Sequence, residues 1–150
     1  MIHISHRGNV NGRNEKRENT CGYIQEAISL GYDVEIDVWM KENKFFLGHD
    51  SPEGNVEISW LIDKSEHLLI HAKNFDALSE LTLFNNLRLF FHEKESHTII
   101  YGTKFIWSHD ISEASDRSII PLLSEEDIKN AASFLHVAGI CSDYIGKLKQ

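Results

Sequence analysis

Five apolar segments of the sequence each end in side chains that could transfer protons, bind anions or bind cations. Histidine suits proton transfer because its unperturbed pKa of about 6.5 lies close to neutral pH. Arginine and lysine attract phosphate groups, and carboxylates bind hard metal ions. The chain holds 9 histidines in 150 residues, and several of them follow apolar segments. The residues in these positions are His6 and Arg7, Glu35 and Asp37, His71 and Lys73, His92 and Glu93, and Trp107 and His109.

The clearest cation-binding pattern lies in residues 31–39, which read GYDVEIDVW. Acidic and β-branched residues alternate there, which indicates a strand with one apolar face. Glu35 and Asp37 share the other face, about 7 Å apart along the strand, so both carboxylates can reach one ion. Oxygen ligands favour Mg²⁺ or Ca²⁺. A salt bridge with Arg7 or Lys73 is the alternative explanation for the two acids.

Short apolar segments recur along the chain and predict a series of strands. The apolar residues that alternate with the two acids, Val34, Ile36 and Val38, are expected to pack outward against helices. The predicted strands cover residues 2–5, 33–38, 67–71, 88–92, 104–107, 118–122 and 139–142, and a strand at 44–47 could form a hairpin with the second.

Three segments between the strands have apolar residues at helical spacing. The first covers residues 20–30, with Asn19 or Thr20 as its cap and Gly31 as a left-handed stop. The second begins after Asn74 and runs to residue 84, and the third begins at Ser124 with three acidic residues in its first turn. The apolar face of the third helix is predicted to comprise Ile128, Ala131, Ala132 and Leu135.

Alternating strands and helices indicate an α/β fold with a parallel sheet. The stretches 92–104 and 108–118 are too short for full crossover helices, and a standard (β/α) barrel takes about 250 residues. The sequence therefore predicts either a compact, reduced barrel with several crossover helices shortened or missing, or an open sheet. In both folds the carboxyl ends of the strands carry the site, and the period of two places the polar residues on one face.

Composition limits the number of domains and the partners. A chain of 150 residues predicts one domain, residues 1–150. The formal net charge of −8 disfavours nucleic acid and anionic membranes. No signal-peptide pattern and no apolar run of about 20 residues is visible, so we expect a cytoplasmic protein without a membrane span. Cys21 and Cys141 are expected to be buried, reduced thiols, with a disulfide between them as the alternative.

The order of four short motifs resembles the glycerophosphodiester phosphodiesterase family. The sequence has HRG at residues 6–8, ENT at 18–20, VEIDV at 34–38 and LGHD at 47–50. Each motif alone has little specificity, but the ordered set over roughly the first 50 residues is specific. Residues 139–143, GICSD, are similar to the last strand of the family, which ends in an aspartate. The resemblance implies a TIM-type barrel, a divalent metal ion and hydrolysis of a phosphodiester.

The resemblance also implies roles for individual residues. His6 and His49 correspond to the acid–base pair, and Arg7 corresponds to the arginine that binds phosphate. Lys73 offers a second positive charge to the phosphate. The implied metal ligands are Glu18, Glu35, Asp37 and His71. From their positions after strands, the residues expected to line the pocket are His92, Trp107 and His109.

One position departs from the pattern of the family. The third strand of the family carries Glu-x-Lys, whereas this sequence has His71-Ala72-Lys73, so that an acidic metal ligand is replaced by histidine. Because neutral imidazole suits softer ions, Mn²⁺ and Zn²⁺ become alternatives to Mg²⁺ and Ca²⁺. The chain is also shorter than typical members, and sheet surface without covering helices predicts a homodimer.

These residues together predict a phosphodiesterase that acts on a glycerophosphodiester or a similar phospho-alcohol, a small-molecule substrate of lipid metabolism. A metal ion would offset the negative charge of the phosphodiester, while one histidine accepts a proton and the other donates one. Two alternatives remain open. One is a non-catalytic domain that binds a phosphate ligand on the same fold, and the other is a lyase that forms a cyclic phosphate.

Overall fold

One mixed β-sheet runs through the protein in the computed structural model, which describes residues 1–149. Within these residues the strands are β1 (Ile2–His6), β2 (Asp33–Lys41), β3 (Lys44–Leu47), β4 (Gly54–Val56), β5 (Leu68–Ala72), β6 (Leu89–Phe90), β7 (His97–Ile99), β8 (Ile106–Ser108), β9 (Ser118–Pro121) and β10 (Gly139–Ser142). The α-helices are α1 (Cys21–Ser29), α2 (Ile58–Asp63), α3 (Phe75–Leu81) and α4 (Glu125–Lys129). Short 3₁₀ helices occur at Ile111–Glu113, Ala131–Phe134 and Ile145–Lys149.

Parallel pairing dominates the sheet. On one side β1 pairs with β10, β10 with β9 and β9 with β8, and on the other side β1 pairs with β2, β2 with β5 and β5 with β6. The antiparallel hairpin of β3 and β4 extends β2, and β7 runs antiparallel to β8. An isolated bridge between Leu89 and Tyr101 links β6 to the segment that follows β7. The predicted parallel α/β sheet and the hairpin at 44–47 are therefore confirmed.

The inner face of the sheet shows that it curls. Side chains from strands that lie far apart in the sheet order are buried against one another, which requires the sheet to bend around that face. The architecture is thus mixed α/β, with a curled sheet and few helices. The residues of this inner cluster are Ile4, Leu69, Phe90, Ile100, Trp107, Ile119 and Cys141.

The outer face of the sheet packs against the helices. Val34, Ile36 and Val38 are fully buried and belong to the same apolar cluster as Ile24 and Ala27 of α1. Full burial of a branched apolar side chain stabilises the fold by about 1.5 to 3 kcal/mol. The outward orientation predicted for these three residues is confirmed, and alternation then places the acids between them on the inner face.

Local sequence sets the helix ends. The Thr20 side chain caps α1, and Gly31 follows the helix with a φ of 83°. The Asn74 side chain caps α3, while Ser124 and Asp127 form a capping box at the start of α4. Each cap contributes about 1 kcal/mol. These predicted starts and the glycine stop are confirmed.

The third predicted helix is shorter than expected. α4 ends at Lys129, and the Asn130 side chain donates to the backbone oxygen of Glu126. Such local bonds from asparagine compete with helix continuation, and a 3₁₀ helix follows. The predicted apolar face is therefore wrong in part: Ile128 and Ala131 are buried, whereas Ala132 and Leu135 are exposed.

Several short elements were not predicted. The strands β4 and β7 have 3 residues each, too few for an alternating pattern. The helix α2 begins at Ile58, and the side chain of the preceding N-cap residue, Glu57, makes no capping bond. The strand predicted at 88–92 is reduced to β6, and the helix predicted from residue 74 to 84 ends at Leu81.

Three further predictions concern membrane-spanning helices, a homodimer and the two cysteines. None of the helices within residues 1–149 has the length and apolar character needed to cross a bilayer. Leu83, Ile99 and Leu135 are exposed by more than 70 %, and the homodimer that would cover such side chains stays a prediction. Both Cys21 and Cys141 are free thiols in the described chain, and only Cys141 is fully buried.

Candidate functional site

Three ligand-type side chains meet on the inner face of β2 and β5. The strand register places Asp37 opposite His71, and Glu35 opposite His6 of β1. One donor atom from each of Glu35, Asp37 and His71 lies within 4.8 Å of the other two, and all three residues are buried. The structure therefore brings together three of the four residues predicted as metal ligands.

Both carboxylate oxygens of Asp37 already have partners. Oδ1 lies 3.1 Å from His71 Nδ1 and 3.4 Å from Lys73 Nζ. Oδ2 lies 2.9 Å from Arg7 Nε and 3.0 Å from the side-chain nitrogen of Asn19. Burial alone would raise the pKa of Asp37, but the hydrogen bond from His71 and the charges of Arg7 and Lys73 outweigh it and hold the pKa well below its ordinary value. The salt bridges considered from the sequence thus exist at Asp37.

Glu35 differs from Asp37 in the direction of its pKa shift and in having an oxygen atom without a partner in the described chain. Burial, followed by the nearby charge of Asp37, raises its pKa above the ordinary value. Its Oε2 atom lies 3.8 Å from His6 Nε2 and has no hydrogen-bond partner within residues 1–149. A buried carboxylate oxygen without a partner is costly, and a divalent cation would satisfy it.

Glu35, Asp37 and His71 could hold a divalent metal ion, because Glu35 has a buried oxygen atom without a hydrogen-bond partner among the residues that the structure describes. Glu35 supplies the unpartnered oxygen, Asp37 a charged carboxylate and His71 an imidazole nitrogen. A mixed set of oxygen and nitrogen donors suits Mn²⁺ or Zn²⁺ better than Mg²⁺ or Ca²⁺.

Glu18 lies on the other side of Arg7 from this group of three. Its Oε1 accepts hydrogen bonds from the side chains of Asn9 (2.8 Å) and Arg13 (3.2 Å), and its Oε2 lies 3.5 Å from Arg7 Nη1. The structure thus places this predicted metal ligand among cationic groups. Arg7 bridges Glu18 and Asp37, and only 10 % of its side chain is exposed.

His6 is oriented by a carboxylate from the last strand. Its Nδ1 lies 2.7 Å from Oδ1 of Asp143, and the same oxygen accepts a hydrogen bond of 2.8 Å from Asn9 Nδ2. Burial alone would raise the pKa of Asp143, but the hydrogen bond and charge of His6, together with Asn9, lower it. The ionised carboxylate holds the proton of His6 on Nδ1, so Nε2 remains a proton acceptor.

His49 stands at a sharp turn after β3. Gly48 has a φ of 150°, and a Cβ atom there would lie 2.1 Å from the backbone oxygen of Ser51, so only glycine fits. The Nδ1 atom of His49 lies 2.7 Å from Oδ1 of Asp50. Burial, and then the positive charge of Arg7, lowers the pKa of His49.

The two predicted acid–base residues line one cavity. The cavity has a volume of about 540 Å³, which is large enough for a phosphate ester of a small alcohol. His6, Arg7 and His49 all face it, and the walls come from the loops after β9 and β10. Its lining residues are His6, Arg7, Arg13, His49, Leu123, Ser124, Asp143 and Tyr144.

The predicted pocket-lining residues form an aromatic stack beside His71. The His71 and His92 rings stack with centroids 4.4 Å apart. The His71 ring also stacks on Phe90, and the Phe90 ring stacks on Trp107. His109 Nε2 accepts from Trp107 Nε1 at 3.0 Å and lies 3.1 Å from His92 Nε2. Burial, and then the charge of His71, lowers the pKa of His92 to about 4, and the same causes lower the pKa of His109. Trp107 is 4 % exposed and supports this stack from within.

Sequence reasoning did not assign roles to three polar residues of this site. Asn9 and Asn19 are buried amides that bond to the site carboxylates, and Asp143 orients His6. A sequence motif pointed to two of them only, Asn19 and Asp143. Asn19 lies inside the ENT motif, and Asp143 ends the apolar segment that resembles the last strand of the family.

A scan of the chain against models of known protein families gives no match, and a search among curated protein sequences gives none either. The similarity to glycerophosphodiester phosphodiesterases therefore depends on the short sequence motifs alone.

Proposed function

We propose that this protein is a metal-dependent phosphodiesterase that acts on a glycerophosphodiester or a similar phospho-alcohol diester. One observation carries the proposal: His6, Arg7 and His49 line a single cavity, next to the buried group of Glu35, Asp37 and His71. The pairing of two histidines with cationic and metal-binding groups suits the cleavage of an anionic diester.

The charged residues would bind and orient the phosphate. A divalent cation held by Glu35, Asp37 and His71 would supply the charge that offsets the phosphate oxygens in the transition state. The planar guanidinium of Arg7 offers paired donors to phosphate, and Lys73 offers a compact charge. The side chains of Arg7 and Lys73 both form ion pairs with Asp37, and Arg7 also faces the cavity, so we expect the phosphate to bind beside Arg7.

The histidines would move the protons. His6 presents an unprotonated Nε2 because Asp143 holds the proton of this ring on Nδ1, so His6 is the group that accepts the proton of the attacking oxygen. His49 lines the same cavity and, in its protonated form, would donate a proton to the leaving oxygen. Each such transfer contributes typically 10²- to 10⁴-fold to the rate.

The fold and the motifs support a place in the glycerophosphodiester phosphodiesterase family. The HRG and LGHD segments contribute His6, Arg7 and His49 to the cavity. Arg7 in turn contacts Glu18 of the ENT segment and Asp37 of the VEIDV segment. We further infer that the curled sheet is a reduced TIM-type barrel, in which the connections from β6 through β7 and β8 to β9 lack α-helices.

One observation favours the non-catalytic alternative, a domain that binds a phosphate ligand on the same fold. Arg7, Lys73, His71 and Asn19 already satisfy the oxygens of Asp37, so this carboxylate has no unmet need for a metal ion. A lyase that forms a cyclic phosphate uses the same two histidines and is distinguished only by its products.

The experiment is a ³¹P NMR assay of the purified protein with a glycerophosphodiester, with and without Mg²⁺, Mn²⁺ or Zn²⁺. We expect turnover that needs the metal ion and stops with excess chelator, and a cyclic product would identify the lyase. His6→Gln and His49→Gln should each lower kcat/KM by about 10²- to 10⁴-fold. His136→Gln is the matched control, because His136 is exposed and lies outside the site.

Full activity in either site variant, or in excess chelator, would contradict the proposed mechanism. Calorimetry with the same metal ions separates the main proposal from its non-catalytic alternative. Phosphate binding without metal binding and without turnover would favour the binding domain.

A further inference from the structure

A single amide side chain holds Asp37 at two points. The side-chain oxygen of Asn19 accepts a hydrogen bond of 3.0 Å from the backbone nitrogen of Asp37. The side-chain nitrogen of Asn19 donates a hydrogen bond of 3.0 Å to Asp37 Oδ2. Because the backbone and the carboxylate of Asp37 are both bound to one rigid amide, the side chain of Asp37 has little freedom to rotate. Asn19 is itself 5 % exposed.

The backbone of Asn19 lies in a conformation that few side chains adopt. Its φ is 53°, and that of Arg7 is 56°. The backbone nitrogen of Asn19 donates to the backbone oxygen of Arg7 at 3.1 Å, so the two left-handed residues support each other. Asparagine tolerates this region better than most residues, and strained backbone is found preferentially at functional sites. Thr20, not Asn19, caps α1, so helix capping does not explain the amide.

The two carboxylate oxygens of Asp37 contact different groups of residues. Oδ2 faces Asn19 and Arg7, which anchor it. Oδ1 faces His71 at 3.1 Å and Lys73 Nζ at 3.4 Å, on the side where Glu35 Oε1 lies 4.0 Å from the same ring nitrogen of His71. Because Oδ2 is anchored, Oδ1 is turned towards His71 and Glu35.

We infer that Asn19 is a positioning residue of the cation site, which fixes Asp37 so that Oδ1 is presented to a divalent ion together with Glu35 and His71. This inference rests on the metal-dependent function proposed above. The amide of Asn19 supplies a donor and an acceptor together, one for the carboxylate and one for the backbone nitrogen of Asp37. An aspartate would place a second carboxylate against Asp37, and an alanine would supply neither bond.

The test is calorimetric titration of the chelator-treated protein with Mn²⁺ alone. Asn19→Gly removes the amide but keeps a residue that adopts the left-handed conformation freely. Asn43→Gly is the matched control, because Asn43 has a φ of 59° in the exposed turn between β2 and β3. We expect the Mn²⁺ dissociation constant to rise by about 10- to 100-fold in Asn19→Gly, as for other groups that orient metal ligands, and to stay unchanged in Asn43→Gly.

A thermal unfolding measurement separates positioning from a merely structural role. Asn19→Ala should unfold at a lower temperature than Asn19→Gly, because alanine is strained at this φ. Weak Mn²⁺ binding in a well-folded Asn19→Gly supports the inference, and Mn²⁺ binding with unchanged affinity in that variant overturns it. Absence of Mn²⁺ binding in the unmodified protein overturns the metal-dependent function itself, and the inference with it.

Discussion

Asp143 holds His6 through a hydrogen bond of 2.7 Å between Oδ1 and Nδ1, in a site where 7 % of the Asp143 side chain is exposed. Asn9 donates to the same oxygen at 2.8 Å, which fixes the carboxylate as well. The corresponding partner of His49 is Asp50, whose side chain is 91 % exposed. Of the two histidines at the cavity, His6 is therefore the one whose orientation and tautomer are set in advance.

Asp143→Asn should impair turnover more than binding. An amide in place of the carboxylate can donate to Nδ1, which would move the proton of His6 to Nε2 and remove its acceptor. We expect kcat/KM to fall by about 10²- to 10⁴-fold with a glycerophosphodiester, while the affinity for inorganic phosphate changes little. Asp116→Asn, at an exposed position outside the site, serves as the control. Unchanged kcat/KM in Asp143→Asn would exclude His6 as an oriented proton acceptor.

Asp143 should also contribute stability that disappears in acid. Its pKa in the folded protein lies below the ordinary 3.8, because His6 and Asn9 outweigh the effect of burial. The unfolded chain then binds more protons than the native one as the pH falls through 3.8 and below. At pH 7, Asp143→Asn should lower the free energy of unfolding by about 1 to 3 kcal/mol, and the difference should shrink below about pH 4. Urea unfolding between pH 7 and pH 3 measures it, and a difference that grows in acid would reverse the assigned direction.

Glu35→Gln should separate metal binding from stability. Burial and the neighbouring Asp37 raise the pKa of Glu35 above the ordinary 4.5, so the native protein binds more protons than the unfolded chain above that pH. Its stability therefore falls as the pH rises, and the neutral glutamine removes this loss. In chelator at pH 8 we expect a free energy of unfolding equal to or above that of the unmodified protein, with Mn²⁺ binding lost in calorimetry. Strong destabilisation at pH 8 but not at pH 5 would show that the Glu35 charge is favourable.

The parts of the site that lie on single strands could be predicted from the sequence. Alternation in residues 34–38 places Glu35 and Asp37 on the face opposite to three apolar residues. The structure confirms this, because the apolar residues belong to the outer cluster while the two acids meet His71 on the inner face. A two-residue period needs no knowledge of other strands. The same holds for the capped helix starts at Thr20 and Ser124, which depend on side chains within one turn.

The contacts between distant segments could not be predicted in this way. His6 and Asp143 are separated by 137 positions in the chain, and they meet because β1 pairs with β10. The double contact of Asn19 with Asp37 depends on the left-handed backbone of Asn19, which no local pattern indicates. The short elements β4, β7 and α2 lie below the length at which periodicity can be recognised.

Gly48→Ala should displace His49 and lower stability together. A Cβ atom at residue 48 would lie 2.1 Å from the backbone oxygen of Ser51, and the φ of 150° already excludes most side chains. Because a backbone atom cannot move aside as a flexible side chain can, the turn must shift and carry His49 with it. We expect the free energy of unfolding to fall by about 1 to 3 kcal/mol, measured in urea, and kcat/KM to fall at least tenfold. Gly22→Ala is the matched control: Gly22 lies within α1 with no atom within 4 Å of an added Cβ, so the same substitution there should stabilise the helix by about 0.5 to 1 kcal/mol. Equal stability and activity in the two variants would show that the turn at Gly48 does not set the position of His49.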